Sequence, residues 1–560
     1  MSGEAIEGSL NRTAEGQREL PEAWVWTTIG EVCDVNPTMS FPERLSDDSI
    51  VSFVPMAAVD EAEGSIESPE VRPIGEAWTG YTRFAEGDVI FAKITPCMEN
   101  GKAAIAKNLV NGIGLGSTEF HVLRSTPAVL AEWIYYFVRQ TSFRADAMNE
   151  MTGTAGQLRV PTSFMKSAAI PLAPMPEQRR IVRAIEAQLS RLDAAIAELE
   201  RAQANLERYR ASVLQSACEG RLVPTEAELS RREERDYEPA DELLERILEE
   251  RRARWEEERW AYEVERAKKK AAQAERKAAG LPYYIRELEP EHWEERTPEE
   301  YEPYLPKGDK WKHKYDEPEA PDTEYLPELP QGWAWTAMPQ IGKLGRGRST
   351  HRPRNDERLF GGPYPFLQTG EIRAAEGTVA EYSETYNEFG LSQSKLWPEG
   401  TLCITIAANI AETALLGFEA CFPDSVVGFV PQGGAEARFY EYYMRTVQQR
   451  LESNAPATAQ KNINLTTLSE LAVPLPPRAE QVRIVEEVQR RLSVVDALEK
   501  SVETSLVRAE RMRQAILNKA FEGRLVGQDP SGESASVLLE RVRASAGKRS
   551  EPAHLQTSFL

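Results

Sequence analysis

EQRRIVRAIEAQLSRLDAAIAELERAQANLERYRASVLQSACEGRLV (residues 177–223) returns at 480–526 as EQVRIVEEVQRRLSVVDALEKSVETSLVRAERMRQAILNKAFEGRLV, displaced by 303 positions without a gap. The two stretches share 20 of 47 residues, so the chain contains an internal duplication. In the first copy Ile185, Leu189, Leu192, Ile196, Leu199, Gln203, Leu206, Arg210, Val213 and Ala217 alternate by four and three, which is a heptad seam. In the second the seam reads Val488, Leu492, Val495, Glu499, Val502, Leu506, Ala509, Arg513, Ile516 and Ala520. Each helix starts at a proline-rich stop, PLAPMPEQ (171–178) or PLPPRAEQ (474–481). A helix of roughly 40 residues is about 60 Å long.

One such seam alone reads as ordinary helix packing. Two copies favour an intramolecular antiparallel pair about a pseudo-twofold axis, carrying globular regions that point in opposite directions along a common rod. A parallel pair is the less economical alternative.

The duplication spreads outward on both sides. LPEAWVWTTIG (20–30) recurs as LPQGWAWTAMPQIG (329–342), AIPLAPMPEQ (169–178) as AVPLPPRAEQ (472–481), and ADELLERI (240–247) as ASVLLERV (535–542). GDVIFAKIT (87–95) and GTLCITIAAN (400–409) read as strands, and EWIYYFVRQ (132–140) and FYEYYMRTV (439–447) as helices. The fold class is therefore α/β plus long α-helical coiled coil, with two mixed α/β domains and two long antiparallel helices in an internal pseudo-twofold repeat. The expected boundaries are a first domain at 1–173, a helix at 174–223, a charged central linker or helical region at 224–328, a second domain at 329–475, a second helix at 476–526 and a C-terminal tail at 527–560.

With 560 residues the chain exceeds what one core usually organises, and 41% hydrophobic residues suffice to build several. The net charge of -22 argues superficially against a polyanionic partner, but residues 224–328 hold 32 acidic and 20 basic side chains and so more than half of the excess. That segment reads either as a solvated helix plus linker or as a surface that docks a partner. Cys33, Cys97, Cys218, Cys403 and Cys421 form no CxxC pair, residues 1–20 lack an apolar signal core, and no apolar run approaches a bilayer span. A cytoplasmic protein without membrane contact is expected.

Catalytic machinery is not recognisable. ENGKAA (99–104) lacks the spacing of a phosphate loop, Asn36-Pro37 lacks the aromatic that would stack on a flipped base and reads as a turn, and His121, His292, His313, His351 and His554 show no zinc spacing. KLGRGRSTHRPRNDER (343–358) instead concentrates Lys343, Arg346, Arg348, Arg352, Arg354 and Arg358 against Asp356 and Glu357. Guanidinium groups grip phosphates or read guanine edges bidentately, and Gln368 and Thr369 follow beside a strand. The first domain offers Lys93, Thr95, Asn100, Lys102 and Ser117. Surface loops of an α/β domain are the plain alternative for both groups.

Several of these tracts carry a likeness. The tryptophans Trp24, Trp26, Trp333 and Trp335 of the paired LPxxWxW motifs, both proline-to-EQ helix starts, both EGRLV endings and LLERI match a family pattern, as do FAKITPCMENGKAAIA, GSTEFHVLR, GRGRSTHRPRNDERLFGGPYPFLQTGEI and CITIAANIAETALLGFEACFPDSVVGF. Over nearly its whole length the chain resembles the DNA-specificity (S) subunit of Type I restriction-modification systems. The resemblance implies a non-catalytic subunit whose two target-recognition domains each read half of a bipartite double-stranded DNA site across an unread spacer, with the helices as the ruler. It implies two methyltransferase (M) subunits and restriction (R) subunits as partners. S-adenosylmethionine, ATP and Mg belong to those partners, and no cofactor or metal belongs to this chain. The expected DNA contacts are Lys93, Thr95, Asn100, Lys102, Ser117, Lys343, Arg346, Arg348, Arg352, Arg354, Gln368 and Thr369. The long acidic insert from about 250 to 328 departs from a minimal scaffold. Two rivals are a coiled-coil scaffold or adaptor without DNA specificity, and a self-sufficient nuclease or methyltransferase.

Overall fold

The structure, a computed structural model, describes residues 19–549 apart from 62–63, 68, 155–156, 283, 285–288, 376, 408–409, 455–462 and 530–531. The leading stretch 1–18, His554, the last residues of the strand expected over 400–409 and the end of the expected C-terminal tail lie outside the described residues. The chain divides into two compact units, Met1–Ala202 with Ser501–Leu560, and Gln203–Lys500. Each long helix, Met175–Cys218 and Arg478–Phe521, contributes one end to each unit.

In the first unit, one four-stranded sheet runs Cys33–Val35, Phe120–Ser125, Val89–Ala92, Ala103–Ile105, and the other runs Glu70–Pro73, Ile50–Val54, Ile113–Gly116, Thr82–Ala85. The Val89–Ala92 strand of GDVIFAKIT is buried throughout, and the helix Ala131–Val138 covers the core with Trp133, Ile134 and Phe137. In the second unit a five-stranded sheet runs Gly342–Arg346, Val426–Pro431, Leu402–Thr405, Thr413–Leu416, Thr378–Val379, beside a four-stranded sheet of Glu384–Tyr386, Phe360–Phe366, Ala420–Cys421 and Leu396–Trp397. Each domain is closed by an equivalent ribbon that ties its LPxxWxW strand to the residues preceding a long helix: Val25–Thr28 pairs with Ala169–Leu172, and Ala334–Ala337 with Ala472–Leu475.

The twice-used EGRLV is a helix terminator. After Cys218, Gly220 takes φ +67°, its N–H reaches Ala217 O, and Arg221 N–H reaches Ser216 O; after Phe521, Gly523 takes φ +68°, with Gly523 N–H on Ala520 O and Arg524 N–H on Lys519 O. This is a Schellman ending, which needs a left-handed residue and so a glycine. A Cβ on Gly220 would collide with the ring of Pro330, and one on Gly523 with that of Pro21. The ending of the first helix therefore seats on the LPxxWxW motif of the second domain, and the ending of the second helix on that of the first. The LLERI repeats complete the same two joints. Ala240 N–H bonds Gly332 O, and Ala535 N–H bonds Ala23 O. Residues from 527 onward, expected as a tail, thus include a helix, Ala535–Arg549, whose Leu539 is buried against the first domain.

Within each unit the helices run antiparallel. In the first, Ile185 and Leu192 share a core with Ala509, Ile516 and Leu517, while Arg180 pairs with Asp529 at 3.5 Å and Asp193 with Arg513. In the second, Val213 and Ala217 pack with Val488 and Leu492, while Arg210 holds Asp496 at 2.5 Å and Glu499 at 2.7 Å. The Arg210–Asp496 and Arg513–Asp193 bonds are interchanged by the 303-residue shift. Val495 is also buried; Leu189, Ile196, Leu199, Leu206, Val502 and Leu506 are half-buried. Gln203, on the seam by heptad counting, is exposed, consistent with the drift of a 3.6-residue helix against a 3.5-residue repeat.

The central segment is folded in the second unit. Leu243 and Ile247 of the helix Ala240–Ala278 enter the domain core, and farther along Trp255 and Trp260 pack on Trp311, which returns from downstream.

Candidate nucleic-acid interface

In the second domain the basic tract leaves the edge strand Gly342–Arg346 and forms a loop fixed by distant partners. Arg346 Nε donates to Asp424 O at 3.0 Å, and Arg354 pairs with the Asp424 carboxylate at 2.6 Å. Arg352 donates to the carbonyls of Ser349 and His351, while Arg358 and His351 both hold Asp356, whose carboxyl is kept well below the usual range by those bonds. The loop backbone is also clamped: Thr350 N–H bonds Gln393 O, and Ser394 Oγ donates to Arg348 O. The consequence is a division of labour among six cations. Arg354 and Arg358 are neutralised by carboxylates, Arg346 and Arg352 are held by carbonyls with their charge intact, and Lys343 and Arg348 are exposed with no side-chain partner among the described residues. Gln368 is exposed and donates to Glu384 at 3.0 Å, while Thr369 is half-buried at the start of the helix Thr369–Ala374.

In the first domain, Lys93 follows the buried strand Val89–Ala92, its backbone bonded to Glu119 O and Val160 N. Thr95 N–H bonds Leu158 O, and its buried hydroxyl has no hydrogen-bond partner among the described residues. Ser117 accepts Glu119 N–H at 3.2 Å. These three residues gather around Glu119 and the 157–160 segment. Asn100 turns instead onto Glu61 at 3.1 Å, and Lys102 is half-buried behind it, its carbonyl bonded by Ala92 N–H.

One element carries no motif in the sequence. Thr152–Thr154 and Gln157–Arg159 form a two-stranded polar ribbon, and Arg159 binds Glu119 through both Nε and Nη2 at 2.9 Å. Its Thr-Gly-Thr and Gln-Leu-Arg strands carry no hydrophobic alternation, so the usual strand signal was absent. Beside it, Asn36 at φ +54° is the turn expected at Asn36-Pro37, and its carboxamide donates to Nδ1 of buried His121 at 3.1 Å. Nε2 of His121 must then carry the proton that bonds Val160 O at 2.8 Å.

Burial, with Lys93 nearby, pushes the His121 pKa down, so the imidazole is neutral in the fold. In the unfolded chain it takes up a proton near about pH 6.5. Stability from this group is complete above that pH and is lost as pH falls toward the lowered folded value. Urea midpoints for the whole chain should therefore fall below about pH 6.5, and His121→Gln should lose that component of the pH dependence.

A duplicated α/β domain on duplicated antiparallel helices, with Lys343 and Arg348 of the second domain exposed and without a side-chain partner among the described residues, defines a scaffold with an internal repeat. The family described as Type I restriction modification DNA specificity domain matches residues 21–208 and 330–506, more than half of the chain, and the chain belongs to that family. It is similar to the Type I restriction enzyme EcoEI specificity subunit of Escherichia coli, with 41% identity over 176 residues, 31% of this chain and 29% of that relative. The EcoAI specificity subunit of the same species is 37% identical over 176 residues, again 31% and 29%. The aligned stretch thus spans under a third of these relatives. Among solved structures, one from work on complex assembly and conformational transition of the type I R-M system superposes with TM-score 0.61 over 91% of this chain and all of that one, at 20% identity. The HsdS subunit from Thermoanaerobacter tengcongensis gives TM-score 0.50 with the same coverage and identity. These two likenesses establish the fold.

Proposed function

We propose that the chain is the sequence-reading subunit of a Type I restriction-modification complex. Each domain reads one half of a bipartite duplex, the helices set the gap between the halves and dock two methyltransferase subunits, and the assembly directs adenine methylation and, with restriction subunits, cleavage. The chemistry and its S-adenosylmethionine, ATP and Mg reside in the partners. The observation that carries this reading is the twofold occurrence of the family's domain, each copy built onto one end of an antiparallel helix pair.

DNA contacts in the second domain rest on Lys343 and Arg348, with Arg346 and Arg352 as pre-positioned charges. A fixed guanidinium loses less entropy on meeting phosphate than a free one. Arg354 is removed from the first rank because Asp424 already neutralises it.

The test is fluorescence anisotropy of the full chain on duplex DNA across a salt series. The double variant Lys343→Ala, Arg348→Ala should bind more weakly, with a slope of log K against log salt shallower by roughly one to two. Unchanged affinity and slope would remove these residues from the interface; a wild-type chain indifferent to sequence would defeat the reading itself.

A further inference from the structure

We infer that the polar ribbon Thr152–Thr154 and Gln157–Arg159 of the first domain enters the major groove and reads bases there. The inference rests on the DNA-reading role proposed above and assigns it an element that the basic residues alone do not suggest.

Register decides what the ribbon presents. Thr152 faces Arg159, Gly153 faces Leu158 and Thr154 faces Gln157. Directly opposed residues share a face and neighbours alternate, so Thr152, Thr154, Gln157 and Arg159 lie on one side and Gly153 and Leu158 on the other. One face is therefore wholly polar, and Thr152, Thr154 and Gln157 on it are exposed.

A two-stranded hairpin without an apolar face is marginal in water on its own. This one is held from its base. Arg159 grips Glu119, Thr95 N–H bonds Leu158 O, an isolated bridge joins Ile94 to Arg159, and Val160 is bonded by both Lys93 and His121. The bracing ends at Leu158 and Arg159, leaving the side chains of Thr152, Thr154 and Gln157 without an intramolecular hydrogen bond among the described residues.

That combination suits base recognition. The major groove admits a two-stranded ribbon, a carboxamide can pair bidentately with adenine N6 and N7, and threonine offers a hydroxyl to any base edge and a methyl to thymine. Rigid presentation by the Arg159–Glu119 pair lowers the ordering cost of such contacts. Lys93, at the foot of the ribbon, is placed to meet the adjoining backbone phosphate rather than a base.

The experiment is repeated selection of a duplex pool with randomised positions on the full chain, wild type against Gln157→Ala and against Thr154→Val. The valine variant keeps the shape and strand propensity of threonine, so it reports the hydroxyl rather than folding. Wild type should select a bipartite consensus. Each variant should lose selection at one to three adjacent positions of a single half, leave the other half unchanged, and bind the wild-type consensus about 10- to 100-fold more weakly. If wild type selects a consensus and both variants select the same one with equal affinity, the ribbon assignment is overturned while the DNA-reading role survives. If wild type selects no consensus, both fall.

Discussion

Inserting one heptad into each long helix, at positions related by the 303-residue shift, should lengthen the unread gap of the DNA target by about three base pairs. Seven residues extend a helix by about 10.5 Å, and a base pair rises about 3.4 Å. Both helices must be lengthened together, because they pair antiparallel within each unit and a one-sided insertion would leave apolar residues such as Ile185 and Leu492 without their partners. A whole heptad also restores the seam to its face, which four or five residues would not. Mapping methylated adenines genome-wide in cells carrying the lengthened chain and its partner subunits reads the result: both half-site sequences should be retained and only their separation changed. An unaltered separation from a well-folded insertion would show that the helices do not set the distance.

The second large effect concerns the glutamine in each EQ helix start. Gln178 is fully buried; it accepts Leu130 N–H at 3.0 Å and donates to Ala128 O at 2.9 Å and Ala173 O at 2.8 Å. Gln481, its equivalent, accepts Glu436 N–H at 2.8 Å and donates to Pro476 O at 2.8 Å. Leu130 and Glu436 stand immediately before the domain helices Ala131–Val138 and Ala437–Asn454, so each glutamine caps a helix of the domain from the start of a long helix. Replacing either by alanine strands a part-buried helix-start N–H and leaves unmatched the carbonyls of buried bonds, two at Gln178 and one at Gln481, at about 1–3 kcal/mol for each buried unsatisfied group and about 2–5 kcal/mol in all. Urea unfolding of Gln178→Ala and Gln481→Ala should show losses of that order, with Gln178→Glu no rescue, since a carboxylate cannot donate to Ala128 and Ala173. A loss below about 0.5 kcal/mol, the scale of an ordinary surface change, would mean the cap is dispensable.

Repeats and periodicity made the architecture legible. Heptad spacing located both long helices, and the duplicated tracts located every part of the two joints. What similarity could not disclose was which part meets which. Gly220 and Gly523 are equivalent to each other, yet their neighbours are Pro330 and Pro21, each in the opposite half, because equivalence under a shift says nothing about contact. The same limit applied to the arginine cluster. Residue type marked six cations, but their neutralisation depends on Asp424, 70 residues beyond Arg354, and on the local turn that brings Asp356 to Arg358. The acidic insert was ambiguous for a related reason: its helix is charged over most of its surface, and the few anchors, Leu243 and Ile247 at one end and Trp255 beneath Trp311 farther on, are too sparse to stand out from composition.

The two arginine bonds across the helices make the set of charges self-complementary. Arg210 and Asp193 lie in the first half of the duplication, and Arg513 and Asp496 in the second, so each half supplies one cation and receives one. A chain encoding a single half would already contain both members of the set and could satisfy them with its own twin. In the present molecule each bond joins a residue of one half to a residue of the other, so a change in either helix that displaces Arg210 or Arg513 must be matched by its carboxylate in the other helix.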